Sequence, residues 1–308
     1  MIEILKPGFS TTIQDLGRFG YQDYGMPISG AMDTDAAKLA NWLVGNHSNE
    51  AVLELTLIGP VMKFHSTTFI GITGANLNPQ INGTAIAMYK SVKVEKGAVL
   101  SFGKLSSGVR TYISFSGGLQ LEKELGSFST YSYAALGGFQ GRALKKGDRL
   151  LLNTKNITEV KKVPKEFQLA YTSSLTVRVL PSIEFDLFSE ESQKTFFEKE
   201  YVIGAQSNRM GYRLEGDALC LKEKAELLSS GIITGTVQVP ENGQPIVLLT
   251  DAQTTGGYPR IANVIAIDLP FLGQQKPGDK IRFRQVSLEE AQALNHNKNM
   301  RLKKLLKT

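Results

Sequence analysis

Runs of alternating, β-branched residues recur along the whole chain: AVLELTL (51–57), TTFIGIT (67–73), SVKVEKGAVLSF (91–102), VRTYISFSGG (109–118), LTVRVLP (175–181) and PIVLLT (245–250). Successive strand side chains point to opposite faces, so such runs build sheets with a buried face. The 30 glycines supply the turns between them. A mainly β protein with a few helices is the expected fold class. Three segments read as helices. In DTDAAKLANWLVG (33–45), Asp33 caps the start, Ala36, Leu39, Ala40 and Leu43 form the apolar stripe, and Gly45 ends it. SEESQKTFFEKE (189–200) is the second, and SLEEAQAL (287–294) opens with a capping box of Ser287 and Glu290.

One short pattern occurs three times: VEKGAVLSF (94–102), LKKGDRLLL (144–152) and QKPGDKIRF (275–283). Each sets Lys and a glycine ahead of an alternating strand, the chemistry of a tight turn with positive φ. Its place late in two β-rich halves predicts two barrel-like units. The polar stretch NTKNITEVKKVPKEF (153–167) separates them. The expected organisation is an N-terminal β-rich domain over 1–155, a linker over 156–174, a C-terminal β-barrel domain over 175–286, and a helix with a basic tail over 287–308.

Composition narrows the functional classes. With 308 residues, 42% hydrophobic and 21% charged, the chain has the make-up of a globular protein with a substantial core. No stretch approaches the ~20 apolar residues of a membrane-spanning helix. MIEILKPG lacks the pattern of a signal peptide, and one cysteine, Cys220, suits a reducing cytoplasm. The net charge of +6 gathers at the end: beyond Glu290 stand Lys298, Arg301, Lys303, Lys304 and Lys307 and no acid, which leaves about +1 elsewhere. That is a solvated helix end, not the basic stripe of a nucleic-acid face. No phosphate loop or dinucleotide fingerprint is present, and His47, His65 and His296 are too scattered for a metal site. VMKF (61–64) has the Met-Lys pair of a biotin acceptor but lies inside a strand run, so it reads as structural.

Four segments concentrate polar side chains and glycine. TTIQDLGRFGYQDYGMPISGAMD (11–33) brings Gln14, Asp15 and Arg18 together, either as a site or as an Asp15–Arg18 ion pair pinning a loop. LGSFSTYSYAALGGFQGRALKKGD (125–148) offers the hydroxyls of Ser127, Ser129 and Thr130 and a glycine-rich bend ending in Arg142. SNRMGYRLEG (207–216) holds Asn208 and Arg209, the latter suited to a bidentate grip, and Arg213 beside Glu215. The longest is DAQTTGGYPR (251–260), ten residues between apolar strands where a turn needs two to five. Asp251 is a candidate base or orienting acid, and Gln253, Thr254, Tyr258 and Arg260 are binding candidates. The candidate catalytic residues are thus Asp251, Arg209 and Asp15. Gln14, Arg18, Thr130, Arg142, Asn208, Gln253, Thr254, Tyr258 and Arg260 are the candidate substrate contacts.

Read together, KPGFSTTIQDLGRFGY, PISGAMD, ELTLIGP, LGSFST, GGFQGRALKKGD, SNRMGYRLEG, VQVPENGQPIVLLTDAQTTGGYPRIA and DLPFLGQQKPGD resemble the KipA-like, allophanate-hydrolase-subunit-2-related family, also called the biotin-dependent carboxyltransferase family. Phe128 stands where members often carry Arg. The resemblance covers about residues 2–285 and implies cyclophilin-like β-barrel folding. One member type is the C component of an ATP-dependent 5-oxoprolinase, which opens the lactam of 5-oxoproline to glutamate. It works beside a KipI-like B component and a LamB/YcsF-like A component, with ATP held by this chain or by a partner. A related segment belongs to urea carboxylase, which implies an alternative: a carboxyltransferase component whose biotin arrives on another chain. KipA-like members are also associated with binding a KipI-type inhibitor, a purely regulatory role.

Overall fold

The structure, a computed structural model, describes residues 1–153, 159–224 and 227–307. Residues 154–158, which include the first three of the expected linker over 156–174, lie outside these. The chain divides into two compact units, Met1–Phe19 with Ser29–Tyr171, and Gly20–Ile28 with Thr172–Thr308.

Unit 1 carries strands β1 (Ile2–Lys6), β2 (Ser10–Gln14), β3 (Val52–Thr56), β4 (Val61–Phe64), β5 (Thr68–Asn76), β6 (Pro79–Ile81), β7 (Thr84–Ala85), β8 (Ser91–Val94), β9 (Val99–Phe102), β10 (Ser107–Phe115) and β11 (Arg149–Leu150). They form a six-stranded sheet, β11-β1-β4-β9-β6-β7, and a five-stranded sheet, β2-β3-β10-β5-β8. Both turn their apolar faces onto one core, where Ile2, Ile4, Phe64 and Leu100 meet Ile13, Leu55, Ile72 and Phe115. Phe64 and Phe115 contribute one ring from each sheet, 6.3 Å between centroids.

The outer face of the five-stranded sheet is buried too. Helix α1 (Thr34–Leu43) lies on it, and Ala36, Ala37 and Ala40 pack with Val52 and Tyr112. Small residues let the helix come close: a Cβ on Gly71 would stand 2.6 Å from the Ala40 carbonyl oxygen. Thr73 Oγ1 donates to the Ala36 carbonyl at 2.6 Å. Asp33 caps the helix as the sequence predicts, accepting from Ala36 N–H at 2.9 Å.

Unit 2 is built from β12 (Ser174–Pro181), β13 (Glu200–Ile203), β14 (Gly211–Glu215), β15 (Ser230–Gly231), β16 (Thr236–Gln238), β17 (Ile246–Leu248), β18 (Thr255–Gly256), β19 (Arg260–Val264) and β20 (Lys280–Gln285). Seven of these close a barrel in the order β12-β19-β16-β17-β14-β13-β20. Parallel pairing of β20 with β12 completes the closure. An aromatic stack fills part of the interior, with Phe196 of helix α2 (Glu190–Glu198) lying 4.4 Å from Phe283. The chain is thus mostly β, with one closed barrel and one pair of packed sheets.

The thrice-repeated lysine–glycine pattern is a turn each time. Gly97, Gly147 and Gly278 have φ of 90°, 91° and 87°. Ala98, Asp148 and Asp279 N–H groups close back onto Glu95, Lys145 and Lys276 carbonyls, and β9, β11 and β20 follow. Helix α3 (Leu269–Leu272) is a single turn. Helix α4 starts at Leu288 under the Ser287 cap but runs to Leu306, well beyond the expected stop at 294. Within the expected span Ala291 and Leu294 pack with Ile265 and Val286, and the extension is anchored by Leu302, which is buried. Lys298 Nζ donates to the Ile267 carbonyl at 3.2 Å. The basic tail is therefore the polar face of a packed helix.

Candidate functional site

Four of the sequence candidates meet in unit 1. Asp15 follows β2 and is 1% exposed. Its Oδ1 accepts from Gly17 N–H (2.8 Å), Ser127 Oγ (2.7 Å) and Ser129 Oγ (2.5 Å), and its Oδ2 from Phe128 N–H (2.8 Å). Arg18 is equally buried, donating to the carbonyls of Ser129 (2.8 Å) and Glu124 (3.3 Å). Thr130 donates its N–H and its hydroxyl to the Ile13 carbonyl, both at 2.9 Å. Gln14 Nε2 donates to Thr12 Oγ1 (3.0 Å) and the Thr130 carbonyl (3.2 Å). The charged members of this knot are spent on protein groups; in this conformation Asp15 is a tie between loops and not a base open to substrate. Gln14 Oε1 is fully buried and meets no donor among the described residues.

The glycine-rich run serves the same knot. A Cβ on Gly137 would fall 2.1 Å from the Ser129 carbonyl oxygen, and one on Gly138 only 1.9 Å from Thr130 Oγ1, both at positive φ. Glycine lets residues 137–138 lie directly on residues 129–130. Arg142 takes no part in the knot. It grips Asp148 in two places, at 2.7 and 3.0 Å, and Gln140 Oε1 at 2.7 Å. This bond holds the Asp148 carboxyl below the usual carboxylate range.

A second polar group in unit 1 escaped sequence reading. Glu54 Oε2 accepts from Tyr112 OH (2.7 Å) and Met32 N–H (2.9 Å), and Arg110 Nε stands 3.7 Å from Oε1. Tyr112 OH in turn accepts from Asp33 N–H at 2.8 Å, and Asp33 Oδ2 accepts from Tyr171 OH at 2.7 Å. Burial, and then the neighbouring carboxylates, push the Tyr112 and Tyr171 phenols well up. Burial first and then Asp33 push Tyr89 up to about 12. The signal available was Glu54 itself, an acid at a strand position whose sheet neighbours are apolar.

In unit 2 the ten-residue loop is tied down at both ends. Asp251 accepts from Arg209 Nε (2.8 Å) and Nη2 (3.1 Å), and its own N–H donates to the Arg209 carbonyl at 3.0 Å. This pair closes the end of the β14–β17 ladder, where Gly211 faces Leu248. Asn208 Oδ1 accepts from Met210 N–H at 2.8 Å within the same turn. At the exit, Arg260 grips Glu184 with Nε and Nη2 and donates to the Gly231 carbonyl at 3.2 Å. Between the ties, β18 pairs with β15, and Ile232 N–H donates to the Thr254 carbonyl at 3.0 Å. A Cβ on Gly256 would lie 2.6 Å from Gln238 Nε2, so the Gln238 amide lies directly on the Gly256 backbone. Asp251, Arg209 and Asn208 come together; Arg260 has its own partner. Gln253 and Tyr258 are exposed and Thr254 half-buried, and these neutral side chains make no hydrogen bond among the described residues.

The exit of the loop, Gly257, Tyr258 and Pro259, lines a cavity of about 840 Å³ with Phe188, Leu219, Leu227, Val239, Lys222 and Lys224. Nothing in the sequence distinguished these apolar residues from ordinary core. Among the described residues no group of three acids, histidines or cysteines is placed to hold a metal ion, and no helix is long and apolar enough to cross a membrane.

Compared with known proteins, residues 24–285 match the carboxyltransferase domain, subdomains A and B. The chain is 40% identical over 291 residues to the C component of the Escherichia coli 5-oxoprolinase, covering 94% of this chain and 93% of that one. It is 38% identical over 304 residues to the C component of the Haemophilus influenzae 5-oxoprolinase, covering 98% and 96%. Among solved structures, the urea carboxylase of Kluyveromyces lactis matches 99% of this chain with a TM-score of 0.93 and 31% identity; the match spans 29% of that longer chain.

Proposed function

The chain belongs to the family of the carboxyltransferase domain, subdomains A and B, and on that premise we propose that it is the C component of an ATP-dependent 5-oxoprolinase. The observation that carries this reading is the end-to-end correspondence with the Escherichia coli C component, 94% of one chain against 93% of the other. The reaction converts 5-oxo-L-proline, ATP and water to L-glutamate, ADP and phosphate in the cytoplasm. A lactam carbonyl is a poor electrophile, and transfer of a phosphoryl group to its oxygen creates a group that water displaces.

Arg142, Arg209 and Arg260 are each committed to a carboxylate, so in this reading ATP meets other cations, on this chain or on a KipI-like or LamB/YcsF-like partner. In unit 2 the neutral side chains of Gln253, Thr254 and Tyr258, which make no hydrogen bond among the described residues, are the groups left to meet a neutral lactam. Mixing the chain with both partner types and omitting each in turn tests the reading. Glutamate release that needs all three and ATP supports it; release without this chain sinks it.

The Kluyveromyces lactis likeness favours one alternative, the carboxyltransferase component of a biotin-dependent urea or amide carboxylase. Lys63 does not fit a biotin acceptor, because β4 is paired on both sides, Lys63 with Glu3 of β1 and with Val99 of β9. Biotin in this reading arrives on another chain, and avidin would abolish the activity.

A further inference from the structure

The cavity at the exit of the ten-residue loop has three walls, all in unit 2: residues 219–224, residues 239–241 and residues 257–259. Hydrogen bonds tie these walls together. Leu221 forms an antiparallel bridge with Phe188, which also lines the cavity. Leu219 N–H donates to the Gly243 carbonyl at 3.0 Å, and Val239 N–H donates to the Pro259 carbonyl at 2.9 Å. A Cβ on Gly257 would stand 3.3 Å from the Leu227 carbonyl oxygen, so the third wall lies close against the first. A cavity framed by backbone hydrogen bonds stands ready before a ligand arrives. Its volume of about 840 Å³ falls within the range of about 300–1,000 Å³ that takes drug-sized molecules.

The lining has an apolar part and a charged part. Phe188, Leu219 and Val239 are buried, and Leu227, Pro240 and Pro259 are half-buried. Lys222, Glu223, Lys224 and Glu241 are exposed, and their side chains make no ion pair or hydrogen bond among the described residues. The first wall carries Lys222 and Lys224 with Glu223 between them, an excess of one positive charge, and the second carries Glu241. The two walls are thus opposite in sign. An apolar anion would leave Glu241 unanswered, and an apolar cation would leave the lysines unanswered. A molecule with an apolar body and one charge at each end answers both walls. A single amino acid carries ammonium and carboxylate on one carbon, whereas a peptide separates them by about 3.3–3.6 Å for each added residue.

We propose that this cavity binds a short peptide with apolar side chains and free ends, its carboxylate towards Lys222 and Lys224 and its ammonium towards Glu241. The site goes beyond the 5-oxoprolinase reading and does not rest on it. Cys220, the chain's one cysteine, is exposed and lines the same cavity, so its alkylation rate reports occupancy. The test measures protection of Cys220 on the full chain, with ligand-detected NMR as a second readout. The probes are leucylphenylalanine, its N-acetyl and C-amide forms, glycylglycine and 5-oxoproline. Leucylphenylalanine is expected to slow alkylation and glycylglycine to leave it unchanged. Capping either end is expected to weaken binding at least fivefold. In the double variant Lys222→Gln with Lys224→Gln, amidation should lose its penalty and acetylation should keep it; Glu241→Gln should do the reverse. These side chains are exposed, and an unchanged unfolding midpoint shows that the variants are folded. Equal binding of free and capped peptides, wild-type discrimination in the variants, or no binding of leucylphenylalanine in either readout overturns the site. Protection by 5-oxoproline equal to that by the peptide also overturns it, and assigns the cavity to the lactam.

Discussion

Asp15→Asn separates a structural carboxylate from a catalytic one. The carboxylate accepts four hydrogen bonds, three on Oδ1 at 2.5–2.8 Å and one on Oδ2 from Phe128 N–H at 2.8 Å. The amide keeps one acceptor and replaces the other with an NH₂ group that meets Phe128 N–H donor to donor. Hydrogen bonds to a charged group contribute about 1.5–3 kcal/mol each, and a buried donor left unpaired costs about 1–3 kcal/mol. The serine hydroxyls can rotate, so the two Ser bonds are weakened and not lost. The expected destabilisation is therefore about 2–4 kcal/mol, a fall in Tm of roughly 5–15 °C for a unit of this size. Urea unfolding followed by far-UV circular dichroism, with the m-value unchanged, measures it. A variant within about 0.5 kcal/mol of wild type would show that the knot does not depend on the charge, and would return Asp15 to the list of candidate bases.

Tyr171→Phe removes the phenol that donates to Asp33 at 2.7 Å and is expected to cost about 1.5–3 kcal/mol, measured by the same unfolding curve. Gly138→Ala, whose Cβ would lie 1.9 Å from Thr130 Oγ1, is expected to cost several kcal/mol or prevent folding, whereas Gly147→Ala, with open space around it, should cost only about 1 kcal/mol; thermal melts of the pair compare them. Alkaline titration at 295 nm should find Tyr89, Tyr112 and Tyr171 protonated where exposed tyrosines ionise. Their raised folded values mean that stability is full below the unfolded value near ~10 and is lost as pH rises towards about 12. Three phenols titrating near 10 in the folded chain would contradict the buried network.

What the sequence disclosed was local. The lysine–glycine turns at Gly97, Gly147 and Gly278 were legible because glycine at positive φ followed by an alternating strand is a pattern within nine residues. The Asp33 and Ser287 caps were legible for the same reason. The partners of the polar side chains were not. Asp15 is held from residues 112 and 114 positions away, where the sequence offered only its neighbour Arg18 as a partner, and Arg260 finds Glu184 76 positions away, so it looked like a charge free for chemistry. Asp251 and Arg209 were each selected, but their mutual pairing depends on the β14–β17 ladder that only the fold reveals. Glu54 was hidden in the run AVLELTL, since strand alternation does not show that the second face is covered by a helix and by residues 31–33. The C-terminal helix outran its expected end because the basic residues after Leu294 masked the buried position of Leu302.

The measurement that bears most directly on the proposed function is ADP release by the assembled complex of this chain with KipI-like and LamB/YcsF-like partners, in the presence of 5-oxoproline or of urea. The account predicts ADP formed with 5-oxoproline in one-to-one ratio with glutamate, unaffected by avidin. ADP release that responds to urea, ignores 5-oxoproline and is abolished by avidin would contradict it.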